Sequence, residues 1–406
     1  MKMKVLGCII TLLALALLVA GCVTEEVPVT PPNGVQSEVG IMYTAVGQMP
    51  MLLSTGQVDG FMVWQPLVSV ATVSGIGTVV SYSQDLPPEG TWKDHTCCAL
   101  SAREDFIAAH PDVANAFAAL FILAGDYVQN NPERTAGISA NWLYGGADMT
   151  FGDVTISSHD VLKDSIPTIR FTTEHSPEWL ESNDEFILAL RDIGYLTGSL
   201  KDASKEEVRG MLFDFAPYEA GRAMIDAGEI VTPAKLTKPI SLGYLPSDHD
   251  APLFVAVKEW QYFNDEYGIA LKPRSDVPGK VEVADLIVNG VTVAEVRLVL
   301  GEGGAPLMTL MSTDAIQMAY AGTPPAINAI DKGTPIKILF PTQTEGSGFV
   351  VAASAPVTDW NSFITWVEKR SAEGKPVKIA SPARGSIQDV QIKYALQESG
   401  VVVKEV

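Results

Sequence analysis

At 406 residues the chain exceeds the ~250–300 residues beyond which single cores rarely grow, so two lobes are expected. Its 47% hydrophobic and 8% aromatic content fits a globular α/β protein. A formal charge of −20 and a pI near 4.6 exclude a general nucleic-acid binder, because little in the chain would neutralise phosphates.

Lys2 and Lys4 precede an almost wholly apolar run, Val5 to Ala20. The run falls short of the ~20 residues that span a bilayer but suits the core of a signal peptide. It ends in LVAGC (18–22), small residues before a cysteine as in a lipoprotein signal, which makes Cys22 the lipidated mature N-terminus. The remainder is then expected outside the cytoplasm, anchored to the outer face of the cell membrane. Residues 23–37, with TPPNG in them, read as a flexible tether.

LLSTGQVDGFMVWQPL (52–67) aligns without gaps to LMSTDAIQMAYAGTPP (310–325), at a constant offset of 258 residues. Each copy reads as a helical stretch ending at Ser-Thr, a buried strand, a turn containing proline, a helix ending at Gly75 or Gly333, and a second strand. That is the strand–crossover–strand unit of a parallel sheet. Ligands bind α/β sheets in the turns after such strands, so Trp64, Gln65 and Pro66 on one side, and Gly322, Thr323 and Pro324 on the other, are candidate ligand contacts.

Cys97 and Cys98 are adjacent, and in an extended strand they would face opposite sides. Adjacent cysteines rarely bridge, and with Cys8 in the signal there is no disulfide framework and no zinc spacing, so no metal is expected. VRGMLFDFAPYEAGRAMI (208–225) reads as one amphipathic helix. LGYLPSDHD (242–250) is a strand and polar turn before a helical stretch, Leu253 to Phe263. Ser247, Asp248 and His249 would stand at that helix's N-terminus, as caps or as ligand contacts. GEGGAP (301–306) reads as a turn. The Gly346-Ser347 turn leads into an apolar strand, and Arg384, Gly385 and Ser386 form a glycine turn at a helix N-terminus suited to a small anion, with Arg384 as its charge partner. Five scattered histidines, no HExxH, no GxSxG and no Walker loop leave no catalytic set, so neither an enzyme nor a cofactor is expected.

LGYLPSDHDAPLFVA, MSTDAIQMAYAGTPPAI, TEGSG and SPARGSIQD resemble the first half of the periplasmic substrate-binding proteins of the nitrate, sulfonate and taurine type, relatives of the thiamine-precursor binders. STGQVDGFMVWQP, CCALSARED and HPDVANAFAALFILAGDYVQNNPE resemble the second half. The halves stand in reversed order, about 38–230 and then 238–406. The resemblance thus implies a circular permutation whose linker is EIVTPAKLTKPIS (229–241), with a tandem fragment or a gene-model artefact as rivals. It implies a two-lobed, type II periplasmic-binding-protein-like α/β fold with a ligand cleft between the lobes. One lobe would comprise 38–98 plus 356–406 and the other 99–355, hinged through FVVAASA and CCALSA.

Under that resemblance the protein is a monomer that hands its ligand to ABC permease and ATPase subunits. The ligand would be a small oxyanion or sulfonate. Backbone N–H groups of Ser386 and Thr323, the hydroxyls of Ser347 and Ser247, Gln65, Trp64 and Cys97 would hold it. The alternative ligand is a pyrimidine-type thiamine precursor stacked on Trp64, Tyr244 or Tyr320. An enzyme on the same fold is the least favoured reading.

Overall fold

A computed structural model describes residues 36–151, 154–275 and 278–406. The signal peptide, Cys22 and nearly all of the tether lie outside the described residues. In chain order the first strands are β1 (Glu38–Tyr43), β2 (Gly60–Trp64), β3 (Gly77–Tyr82) and β4 (Cys98–Arg103). Short β5 (Met149–Phe151), β6 (Val154–Ile156) and β7 (Ile169–Phe171) follow. Next come β8 (Ile240–Tyr244), β9 (Ile269–Pro273), β10 (Val283–Val288), β11 (Val291–Leu300), β12 (Met318–Gly322) and β13 (Ile336–Pro341). The last are β14 (Gln343–Glu345), β15 (Ser347–Ala352), β16 (Val377–Ser381) and β17 (Val402–Glu405).

These strands build a mixed α/β fold around two principal sheets. One has six strands in the order β17-β1-β16-β2-β15-β3, and the other has seven in the order β13-β4-β12-β8-β11-β10-β9. The internal repeat is borne out. The helix Met49–Ser54, β2, the helix Leu67–Val73 and β3 match the helix Gly304–Ser312, β12, the helix Thr323–Asp331 and β13. Met318–Gly322 falls residue for residue on Gly60–Trp64 at the sequence offset.

One expectation is corrected. The two strands of each unit are not neighbours, because an antiparallel strand from elsewhere in the chain lies between them. β15 pairs with both β2 and β3, and β4 pairs with both β12 and β13. Gly60 permits the approach: a Cβ there would stand 2.7 Å from the Val350 carbonyl oxygen. The chain therefore passes from one sheet to the other twice, through residues 83–97 and 342–346, and both passages border the site described below.

The helix Pro111–Asn130 is buried on nearly all sides, as its run of Ala, Phe, Leu and Ile demands. Phe117, Leu120, Phe121 and Ile122 are each at most 1% exposed, and burying each side chain is worth roughly 1.5–3 kcal/mol. The stretch 208–225 is two helices rather than one, Lys205–Leu212 and Ala216–Ala227. Pro217 is the reason: it lacks an N–H and is at home in a first turn but not in a helix interior. Between them the Asp214 N–H bonds to the Ile338 carbonyl at 3.1 Å, which fastens the break to β13. The stretch after Ser247 likewise divides, into Ala251–Lys258 and Trp260–Tyr267. Among the described residues no helix is long and apolar enough to cross a membrane.

Candidate functional site

Turns that follow strands of both sheets meet at one buried cavity. It is lined by Trp64 after β2, by Cys97 and Cys98 entering β4, by Leu245, Ser247 and His249 after β8, by Gly304, by Gly322 and Pro325 after β12, and by Ser386, Ile387 and Gln388 after β16. The centres of water-sized spheres can occupy about 30 Å³ of it, room for roughly two waters.

Backbone and side-chain hydrogen bonds lock the turns together. Ser247 starts a 3-10 turn, Asp248–Asp250, where its Oγ accepts from the His249 N–H at 3.1 Å and donates to the Gln65 carbonyl at 2.8 Å. The Gly346 carbonyl accepts twice, from the Gln65 N–H and from His249 Nε2, both at 2.9 Å. Thr323 donates its N–H (2.8 Å) and its hydroxyl (3.0 Å) to the Cys97 carbonyl. Gln388 Nε2 donates to Ser347 Oγ at 2.8 Å. With Nε2 so engaged, the other imidazole nitrogen of His249, Nδ1, faces Cys97 Sγ at 3.5 Å and Cys98 Sγ at 3.9 Å.

Burial shifts the ionisation of this cluster. It pushes Asp248 up to about 6 and Asp250 up to about 8, so Asp250 is mostly protonated at neutral pH. Burial also opposes a charge on His249, but the neighbouring Cys97 outweighs it and raises the imidazole to about 9. For Cys97, burial works against the thiolate, whereas the hydrogen bond from Cys98 and the adjacent His249 hold the thiol well below its usual range. Cys98, which donates that bond and is buried, moves the other way.

The sequence-derived candidates divide by position. Trp64, Cys97, Ser247, His249, Gly322 and Ser386 line the cavity. Gln65, Thr323, Gly346 and Ser347 stand behind it and brace the liners. Asp248 accepts a hydrogen bond from Ser165 instead, and Pro324, Arg384 and Gly385 lie outside the lining. Arg384 pairs with Glu405 and lies over the Tyr43 ring. The anion-binding amides expected beside it are already used: the Gly385 N–H bonds to the Asp389 carboxylate at 2.8 Å and the Ser386 N–H to the Ala383 carbonyl at 3.0 Å. Ser386 caps the helix Ile387–Glu398.

The two cysteines do not face opposite ways with respect to His249: both sulfurs lie within 4 Å of its Nδ1, with Cys97 just ahead of the strand that begins at Cys98. Sequence reasoning missed Cys98, Gln388 and the Gln343 side chain behind His249. The first two adjoin residues it had singled out, at steps of one and two.

Turns after strands of both sheets thus wall this cavity within a mixed α/β fold. The chain belongs to the NMT1-like family, whose sequence profile matches residues 24–143 and 234–406. This is a binding-protein family, of the nitrate, sulfonate and taurine type. The chain is also 40% identical over 107 residues to Uncharacterized protein MJ1180 of Methanocaldococcus jannaschii, across 26% of this chain and 71% of that protein. No solved structure matches the chain at a significant level.

Proposed function

We propose that the chain captures a small oxyanion or sulfonate outside the cytoplasm, is held at the membrane through Cys22, and delivers its ligand as a monomer to ABC permease and ATPase subunits. The observation that carries this reading is the cavity, walled by turns from both sheets and bordered by the two passages that join them. A cavity with room for two waters admits an alkanesulfonate only if its walls part, so capture and release require hinge motion between two lobes about residues 83–97 and 342–346.

The donors for an oxyanion differ from those the sequence suggested. The Trp64 indole N–H, in the cavity wall, is buried without an acceptor. The amides of Thr323 and Ser386 are spent within the fold.

The second reading, a pyrimidine-type ligand, is favoured by the Trp64 ring in the cavity wall. Tyr244 and Tyr320 give it no help. Tyr244 packs edge-on to Trp142 and Phe254, and Tyr320 edge-on to Phe121 in the core.

A thermal-shift screen of nitrate, bicarbonate, taurine, alkanesulfonates and pyrimidines separates these readings. A true ligand at a hundred times its Kd stabilises by about 2.7 kcal/mol, a shift of several degrees. An oxyanion or sulfonate is expected to give that shift, and Trp64→Ala to abolish it. A shift from pyrimidines alone would transfer the site to the second reading, and no shift from any compound would remove both.

The reversed order of the halves belongs to the same proposal. It rests on the resemblance of residues 38–230 to the family's second half and of 238–406 to its first. Finding further family sequence beyond Val406 in the native protein by mass spectrometry would remove it.

A further inference from the structure

We propose that Cys97, Cys98 and His249 bind one Zn²⁺ ion, with Gln343 as fourth donor. The two sulfurs and the imidazole nitrogen lie within 4.8 Å of one another, all three residues being at most 3% exposed. Zinc–sulfur bonds of about 2.3 Å and a zinc–nitrogen bond of about 2.0–2.1 Å at the tetrahedral angle put sulfur and nitrogen roughly 3.6 Å apart. The observed separations, 3.5 and 3.9 Å, bracket that value without any metal to draw them in.

The orientation of the histidine is the second observation. Its Nε2–H is given to the Gly346 carbonyl at 2.9 Å, so Nδ1 is the nitrogen that faces the sulfurs and that offers its lone pair to an ion once it gives up its proton. Metal-bound histidines are held in this way, the far N–H donated to a carbonyl that fixes both tautomer and ring angle.

The third is Gln343. It is fully buried, its Nε2 stands 2.5 Å from Nδ1, and its Oε1 has no partner among the described residues. An ion that takes the Nδ1 lone pair displaces that amide N–H, and a turn of the amide presents the unpaired oxygen to the ion.

The donor set selects the ion. Two thiolates exclude Ca²⁺ and Mg²⁺, which require oxygen, and they balance the two charges of Zn²⁺ so that no net charge is buried. Binding displaces the protons that the two sulfurs and Nδ1 carry, which pass to solvent, and no electron is transferred. The sequence concealed the site because the cysteines and the histidine are some 150 residues apart, outside any zinc-motif spacing.

The inference stands apart from the transport reading, since metal uptake is measured without any oxyanion. The full chain carrying Cys8→Ser and Cys22→Ser is stripped with a chelator under reducing conditions and titrated with Zn²⁺ against a chromophoric competitor. One ion per chain is expected, with affinity falling on the order of 100-fold or more in Cys97→Ser and His249→Ala, and about 10-fold in Gln343→Ala. Co²⁺ titration of the same chain with the site intact is expected to give a thiolate-to-metal charge-transfer band, a readout that survives if a variant misfolds. No Zn²⁺ uptake, a Co²⁺ spectrum without the thiolate band, unchanged affinity in folded Cys97→Ser and His249→Ala, or uptake of Cu⁺ alone would each overturn the assignment.

Discussion

Asp331→Ala is expected to destabilise the protein by about 2–3 kcal/mol, read as a fall in the midpoint of denaturant or thermal unfolding. Asp331 ends the helix Thr323–Asp331 and is 3% exposed. A carboxylate there opposes the helix macrodipole, so something else must favour it. The loop after the helix Pro177–Asp192 supplies that. Asp331 Oδ2 accepts from the N–H groups of Thr197 (2.9 Å) and Gly198 (2.8 Å), and Oδ1 from Leu200 (2.8 Å). Its own carbonyl accepts from the Ser199 N–H at 3.0 Å. Alanine strands one buried donor, the Leu200 N–H, at roughly 1–3 kcal/mol, while the N–H groups of exposed Thr197 and Gly198 can turn to water. Asp331→Asn keeps one acceptor and is expected to lose about half as much. A loss below about 1 kcal/mol in the alanine variant would show that the loop is held by its apolar contacts instead.

Gly346→Ala is expected to cost about 2–4 kcal/mol and to weaken metal and ligand binding together. Gly346 has φ +80°, where a side chain costs ~1–2 kcal/mol. A Cβ there would also lie 2.6 Å from His249 Nε2 and 2.9 Å from Ile169 Cγ1. Relief requires the imidazole to move off the carbonyl that orients it, and overpacking of this kind adds ~1–3 kcal/mol. The checks are the unfolding midpoint and Zn²⁺ affinity of one preparation. If stability falls while affinity holds, the Gly346 carbonyl does not position His249.

The parts of the fold that were legible in the sequence are those written locally. The βα repeat could be read because strand, proline turn and helix each leave a mark within a few residues, and Met318–Gly322 duly lies on Gly60–Trp64. The cavity-lining turns were legible for the same reason, through Trp64, Ser247 and Gly322. The insertion of β15 between β2 and β3 was not, since nothing local says which strand fills a gap. Arg384 misled because a cation in a glycine turn looks the same whether or not a glutamate such as Glu405 waits beside it. Cys98 was set aside on the expectation that adjacent strand residues face opposite sides, whereas both sulfurs reach His249 Nδ1. Pro217 was the missed local signal, for it alone rules out a single helix through 208–225.

The exchange of β4 and β15 between the sheets also governs how the molecule can be assembled. The gap between β2 and β3 closes only when Ser347 has met Trp64, and that between β12 and β13 only when Cys98 has met Gly322. Each closure waits for segments made far apart in time, with a long loop to be paid for in entropy before the ladder forms. The seven-stranded sheet, whose strands all lie within residues 98–341, can finish first, whereas the six-stranded sheet waits for β15, β16 and β17. During synthesis β2 and β3 emerge with a vacancy between them, two unpaired edges that stay exposed until residue 352 has left the ribosome, and the nascent chain is most vulnerable to aggregation in that interval.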